Sequence, residues 1–177
     1  MNSNSVVKVL IDIFVFIFIY FVFLYKKWKN KGMSVLISNT LMYIYFIGVM
    51  YFTLMPIITS FPSWSFHSYV PMNLNLFEDL FMQRGDCVRQ IVLNVIMMIP
   101  FGVLLPICRK ANGKNCTLIY TVLCTLFFSL SIEIVQPFIH SYSSSDITDV
   151  VTNTFGGFLG YICYSVFKSP IDKIFRI

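Results

Sequence analysis

A chain of 177 residues that is 57% hydrophobic, with a mean hydropathy of +0.76, carries only 12% charged residues, about half the share of a soluble domain. That composition excludes a water-soluble fold: the 19 Phe and 10 Tyr suit lipid-facing helix surface, whereas a soluble domain of this size would have to hide them in one core. The net charge of +5 does not signal nucleic acid, because the basic residues sit in short gaps between apolar runs and no polar stretch interleaves them with aromatics.

A helix crossing a bilayer core takes roughly 20 mostly apolar residues. Five runs reach that length: 6–25, 34–58, 87–107, 116–139 and 148–167. The expected fold is all-α, a polytopic membrane bundle of about five transmembrane helices. The first run carries Lys8 and Asp12 near its start. It is too long for a signal peptide, no small-x-small cleavage site follows, and four lysines come straight after it. It therefore reads as an uncleaved anchor. Residues 1–58 form two N-terminal transmembrane helices and 59–86 a long extracytoplasmic loop. In that loop Phe61, Trp64 and Phe66 suit the headgroup level, and there is room for a re-entrant or surface-lying segment. Residues 87–167 form a three-helix core, and 168–177 a cytoplasmic tail.

Orientation follows from the charges. Lys26, Lys27, Lys29 and Lys31 follow the first run; Arg109, Lys110 and Lys114 follow the third; Lys168, Lys173 and Arg176 follow the fifth. With five spans, these ten of the 13 basic residues share one side, which the positive-inside rule makes the cytoplasm. The opposite gaps hold Glu78, Asp79, Asp86 and Asp146, with Arg84 as the main basic exception. The expected location is the cell membrane, crossed several times, with the N-terminus extracytoplasmic and the C-terminus cytoplasmic. Only Cys87 of the five cysteines falls near the outer surface and none forms a CxxC pair. A disulfide framework is not expected, and the cysteines read as small apolar packing residues.

The informative residues are the polar ones inside the spans, where an ionisable group costs about 2.5–3.5 kcal/mol at a helix centre. The third run carries Arg89 two residues from its outer end, then Asn94, then Pro100, which predicts a kink or break, and Pro106, which predicts its end. The fourth run leaves toward the outside through Glu133 and Gln136, which share a helix face, with Pro137 setting the boundary. Glu133 has a structural reading as the partner of Arg89. The fifth run opens on Asp146, a helix cap, and Asp149. Asp149, Asn153, Gly156 and Gly160 then form one stripe that includes a GxxxG, which lets another helix come close. Arg89, Asn94, Glu133, Gln136, Asp146, Asp149 and Asn153 are thus expected to converge at the outer ends of three helices as a binding site.

The blocks Arg89-(x)4-Asn94-(x)5-Pro100-Phe101-Gly102, Ser131-Ile132-Glu133-(x)2-Gln136 and Asp146-(x)2-Asp149-(x)3-Asn153-(x)2-Gly156-(x)3-Gly160 resemble the VanZ-like family. Asn73-Leu74-Asn75-Leu76-Phe77 resembles the Asn-Leu-(x)-Pro-Phe element that opens that domain, so the resemblance covers roughly 73–164 and leaves the first two spans outside it. The chain departs from the pattern at Leu76, where the family usually has Pro, and at Ser143, where it often has Arg. The resemblance implies a polytopic membrane protein associated with resistance to glycopeptide antibiotics, especially teicoplanin, without implying a reaction.

Three function classes remain open. The first is a non-enzymatic envelope protein that binds membrane lipids, a lipid-linked cell-wall precursor or a lipoglycopeptide antibiotic at the outer leaflet. The second is an intramembrane enzyme on a lipid-linked substrate, with Glu133 and Asp149 as a catalytic carboxylate pair and Arg89 stabilising an oxyanion. A variant of it adds His140 and a hard divalent cation, but no HExxH, GxSxG or His-rich cluster supports it, and no cofactor or metal is expected. The third is a transporter or purely structural bundle, disfavoured because the polar groups gather at one face rather than the midplane.

Overall fold

The structure, a computed structural model, describes residues 3–57, 71–139 and 145–177. The interfacial aromatics Phe61, Trp64 and Phe66 lie outside the described residues. Helix α1 (Ser3–Ile19) passes through a π-helical turn, Tyr20–Leu24, into α2 (Tyr25–Lys29), giving one apolar helix over Val6–Lys29. Gly32, at φ +119°, takes a conformation closed to L side chains and turns the chain back into α3 (Met33–Thr53). A single turn, α4 (Glu78–Phe81), precedes α5 (Cys87–Ala111), α6 (Leu118–Ile139) and α7 (Ile147–Val166). Helix α8 (Lys168–Phe175) leaves α7 at 79°.

Four helices, Val6–Lys29, α3, α5 and α6, are each long and apolar enough to cross a membrane, and the bent pair α7–α8, taken as one span, brings the number to five. The chain is an all-α, multi-pass membrane bundle. Each spanning helix begins within two residues of its predicted run. One expectation is corrected and another narrowed. Pro106 does not end the third span and Pro100 does not break it: α5 is continuous through both prolines to Ala111. Each proline removes one ladder donor, and close packing of Phe101, Gly102, Pro106 and Ile107 against neighbouring helices holds the segment helical. The tail, in turn, is helix α8, and Asp172 ties it to α5 through Lys110 at 2.6 Å.

Lipid tails are as apolar as Leu, so packing and hydrogen bonds, not dehydration, hold membrane helices together. Two kinds of contact do this here. Between α3, α5 and α6 the rings of Phe46, Phe101 and Phe128 interlock, with centroids 5.0 Å apart for Phe46–Phe128 and 5.4 Å for Phe101–Phe128. Between α5 and α7, which run parallel, the contact is backbone to backbone. A Cβ on Gly156 would fall 2.3 Å from the Val95 carbonyl oxygen, and one on Gly160 2.2 Å from that of Ile99. Gly157 lies as closely on Thr125 of α6, where Thr121, Thr125 and Ser129 form a fully buried hydroxyl seam.

The bundle therefore has two unlike ends. At one end lie the start of α5, the end of α6 and the start of α7, with seven of the eight acidic residues, among them Asp12, which accepts from the Ile57 amide beyond α3. The other end carries the ten basic residues counted above and one acid, Asp172. There Cys108 Sγ donates to the Ser38 carbonyl at 3.2 Å and Asn112 Nδ2 to Asn39 Oδ1 at 3.3 Å, fastening α5 to α3.

Candidate functional site

The polar end is assembled by three helix termini. Glu133, near the end of α6, is 3% exposed. Its Oε2 accepts from the Asp146 amide at 3.1 Å, and its backbone carbonyl accepts from Ser145 Oγ. Asp146 caps α7 as its sequence position predicts: Oδ1 accepts from the Thr148 amide at 2.7 Å. One turn into α7, Asp149 Oδ1 accepts from Asn94 Nδ2 of α5 at 2.7 Å. Another turn deeper, buried Asn153 donates Nδ2 to Ser129 Oγ of α6 at 2.8 Å, while its Oδ1 has no partner among the described residues. The stripe Asp149–Asn153–Gly156–Gly160 is thus the face α7 turns into the bundle. Its amide and carboxylate steps join α5 to α7 and α7 to α6.

A segment before α5 closes over these termini. Asn73 forms a parallel bridge with Asp146: its amide donates to the Ser145 carbonyl at 2.9 Å and its carbonyl accepts from the Ile147 amide at 3.0 Å. The Phe77 amide donates to Thr148 Oγ1 at 3.0 Å. Glu78 accepts from Asn75 Nδ2 at 2.8 Å and Asn73 Nδ2 at 3.2 Å, with Arg84 at 3.7 Å. The donors on Asn75 and Asn73 hold its carboxyl below the usual carboxylate range. Under this strap lies a cavity of about 20 Å³, bordered by Asp79, Gln90, Asp146, Thr148 and Asp149. That is space for one water-sized group. No basic side chain lines it.

The placement of the expected site residues divides. Asn94, Glu133, Asp146, Asp149 and Asn153 come together. Gln136 is half-buried one turn beyond Glu133, and its side chain makes no hydrogen bond among the described residues. Arg89 stands apart: its side chain is 75% exposed and its Nη1 lies 3.8 Å from Asp86 one turn earlier on the same helix end. The pairing of Arg89 with Glu133 is therefore corrected. Glu133 takes backbone amide and hydroxyl partners from the α6–α7 connection instead. His140 and Ser143 lie outside the described residues.

Reasoning from the spans alone missed Asn73, Asn75, Glu78, Ser145, Thr148 and Ser129. The signal for the first three was the Asn-Leu-Asn-Leu-Phe-Glu run, since Asn and Asp side chains bond their own backbone in turns; here the Asn75 amide donates to Asn73 Oδ1 at 3.0 Å. For Ser129 it was the four-residue spacing Thr121–Thr125–Ser129–Glu133, one face of α6 that is polar in an otherwise apolar helix.

A family model described as VanZ/LLP1 matches residues 13–168, so the likeness takes in the first two spans that the motif blocks left outside. The chain is 34% identical over 141 residues to Protein VanZ of Enterococcus faecium, a match covering 80% of this chain and 81% of that protein. No solved structure gives a significant match.

Proposed function

The chain belongs to the VanZ/LLP1 family, and from that membership we propose that it contributes to glycopeptide resistance of the teicoplanin type. In this reading it is a non-enzymatic envelope protein that holds a lipid-linked envelope component or a lipophilic drug at the outer leaflet. The polar end faces outward, with the N-terminus extracytoplasmic and the C-terminus cytoplasmic, because the ten basic residues gather at the other end.

The observation that carries the reading is the meeting of Glu133, Asp146, Asp149 and Asn94 under the 73–77 strap, beside a cavity without a cation. Such a site offers acceptors. It suits the hydroxyl, amide or amine of a bound molecule rather than its phosphate, which would meet uncompensated carboxylates. With the cavity holding one water-sized group, the rest of the ligand lies against the lipid-facing helices. Arg89 and Asp86, exposed at the rim, are available to an outer part of the same molecule.

The second reading, an intramembrane enzyme, rests on two carboxylates on two helices, buried Glu133 of α6 bonded to the Asp146 amide and half-buried Asp149 one turn into α7. Separate Glu133→Gln and Asp149→Asn substitutions divide the two. Each keeps shape and removes charge. Binding predicts a graded rise in teicoplanin susceptibility, several-fold in inhibitory concentration, at unchanged membrane abundance. Catalysis predicts complete loss with either. If neither alters susceptibility or envelope composition, both readings fall and the cluster is structural.

A further inference from the structure

We propose that the basic end carries a binding site for an anionic phospholipid: its phosphate in a pocket formed by Lys31, Arg109 and Lys114, and an acyl chain in the adjoining aromatic groove between α3 and α5. The inference is independent of what the polar end binds.

The headgroup pocket has a volume of about 250 Å³ and is bordered by Lys31 from the turn between α2 and α3, Arg109 and Asn112 from the end of α5, and Lys114 from the α5–α6 turn. Three cations from three segments thus face one space. Among the described residues none has a carboxylate within ion-pair distance, because Asp172, the one acid at this end, is taken by Lys110 at 2.6 Å. Arg109 is held rather than free: its Nε donates to the Asn115 carbonyl at 2.9 Å and its guanidinium lies 4.0 Å from the Tyr120 ring centroid. Its charge stays put at little further entropic cost. The positive-inside rule accounts for the side on which these residues lie. It does not account for their gathering about a cavity with no counter-ion.

The second space, about 320 Å³, is bordered by Trp28, Met42, Tyr43, Phe46 and Leu105. Cys108 borders both spaces, and the Asn112–Asn39 hydrogen bond joins a side chain of one to a side chain of the other. A polar, cationic pocket that shares Cys108 with an aromatic and aliphatic groove matches a phosphate head followed by a chain. Basic pockets between helices on the cytoplasmic side are a recurring way to hold anionic headgroups. Trp28 lies at the end of the Val6–Lys29 helix, where amphipathic rings are favoured.

Trp28 supplies the probe. In full-length protein carrying Trp64→Phe, Trp28 is the sole tryptophan. It is reconstituted in phosphatidylcholine vesicles containing increasing fractions of phosphatidylglycerol or phosphatidylcholine with brominated acyl chains. The proposal expects the brominated phosphatidylglycerol to reach half-maximal quenching at a mole fraction roughly thirtyfold lower, with two lysines contributing at about 1 kcal/mol each. Lys31→Gln with Lys114→Gln should abolish that preference. Lys168→Gln with Lys173→Gln, which removes the same charge from the same end, should keep it, and millimolar inorganic phosphate should not displace the lipid. Equal quenching by the two lipids in the unsubstituted pocket overturns the proposal. So does loss of preference in the α8 pair as large as in the pocket pair, which would reduce the effect to general surface charge.

Discussion

Gly160→Ala places a single methyl group at the tightest seam in the bundle. The new Cβ would lie 2.2 Å from the Ile99 carbonyl oxygen and 2.8 Å from the Gly102 Cα, whereas ordinary contact begins near 3.4 Å. Both obstacles are backbone, so no side chain can swing aside, and α5 and α7 must part by about 1 Å. Overpacking of this kind costs about 1–3 kcal/mol. The same separation, carried along α5, stretches the Asn94–Asp149 hydrogen bond from 2.7 Å to about 3.7 Å, past the range where it counts as one, and removes up to about 1.7 kcal/mol more. The expected loss is about 2–4 kcal/mol. Gly102→Ala meets the Gly157 carbonyl oxygen at 2.1 Å across the same seam, so the double substitution should cost less than the sum, because one displacement relieves both clashes. Gly48→Ala in α3 is the control, with nothing within 4 Å of its Cβ, and should be neutral or stabilising by up to about 1 kcal/mol. The assay is unfolding of the purified protein in mixed micelles of increasing denaturing detergent, followed by helix signal and by Trp emission. Wild-type stability for Gly160→Ala, or full additivity with Gly102→Ala, would refute the claim that backbone contact sets the distance between these helices.

Two further outcomes are expected. Glu78 is held below the usual carboxylate range by its Asn75 and Asn73 donors. With the folded value below the unfolded one, its contribution is present above the ordinary carboxylate range and is lost as pH falls through the lowered value. Amide exchange at 73–77 should therefore rise in acid, and Asn75→Ala should move the onset to higher pH; an unmoved onset would remove Glu78 from the strap. Topology is read in a cysteine-free background with Leu74→Cys and Lys114→Cys, both at exposed positions at opposite ends. In intact cells an impermeant maleimide should label the first, and the second only after permeabilisation; the reverse pattern would invert the orientation proposed.

How far the residues announce the molecule depends on the length scale of the physics. Span positions were legible because a bilayer demands some 20 apolar residues in an unbroken stretch, a constraint local enough to be met within each run. The same holds for the Asp146 cap, a contact over two residues, and for the inward face of α7, since Asp149, Asn153, Gly156 and Gly160 must share a side of any helix. Fates that depend on a neighbour were not legible. Arg89 turned to Asp86 rather than to Glu133. Pro100 and Pro106 stayed inside a helix because other helices press on it. Asn73 reached across to Asp146 by a backbone bridge that no spacing encodes. Alone, the sequence determined which segments enter the membrane and which of their faces are polar, through hydrocarbon's intolerance of unpaired charge. Only the packed helices decided which polar groups meet, because that turns on ångström distances set by glycines on two helices at once.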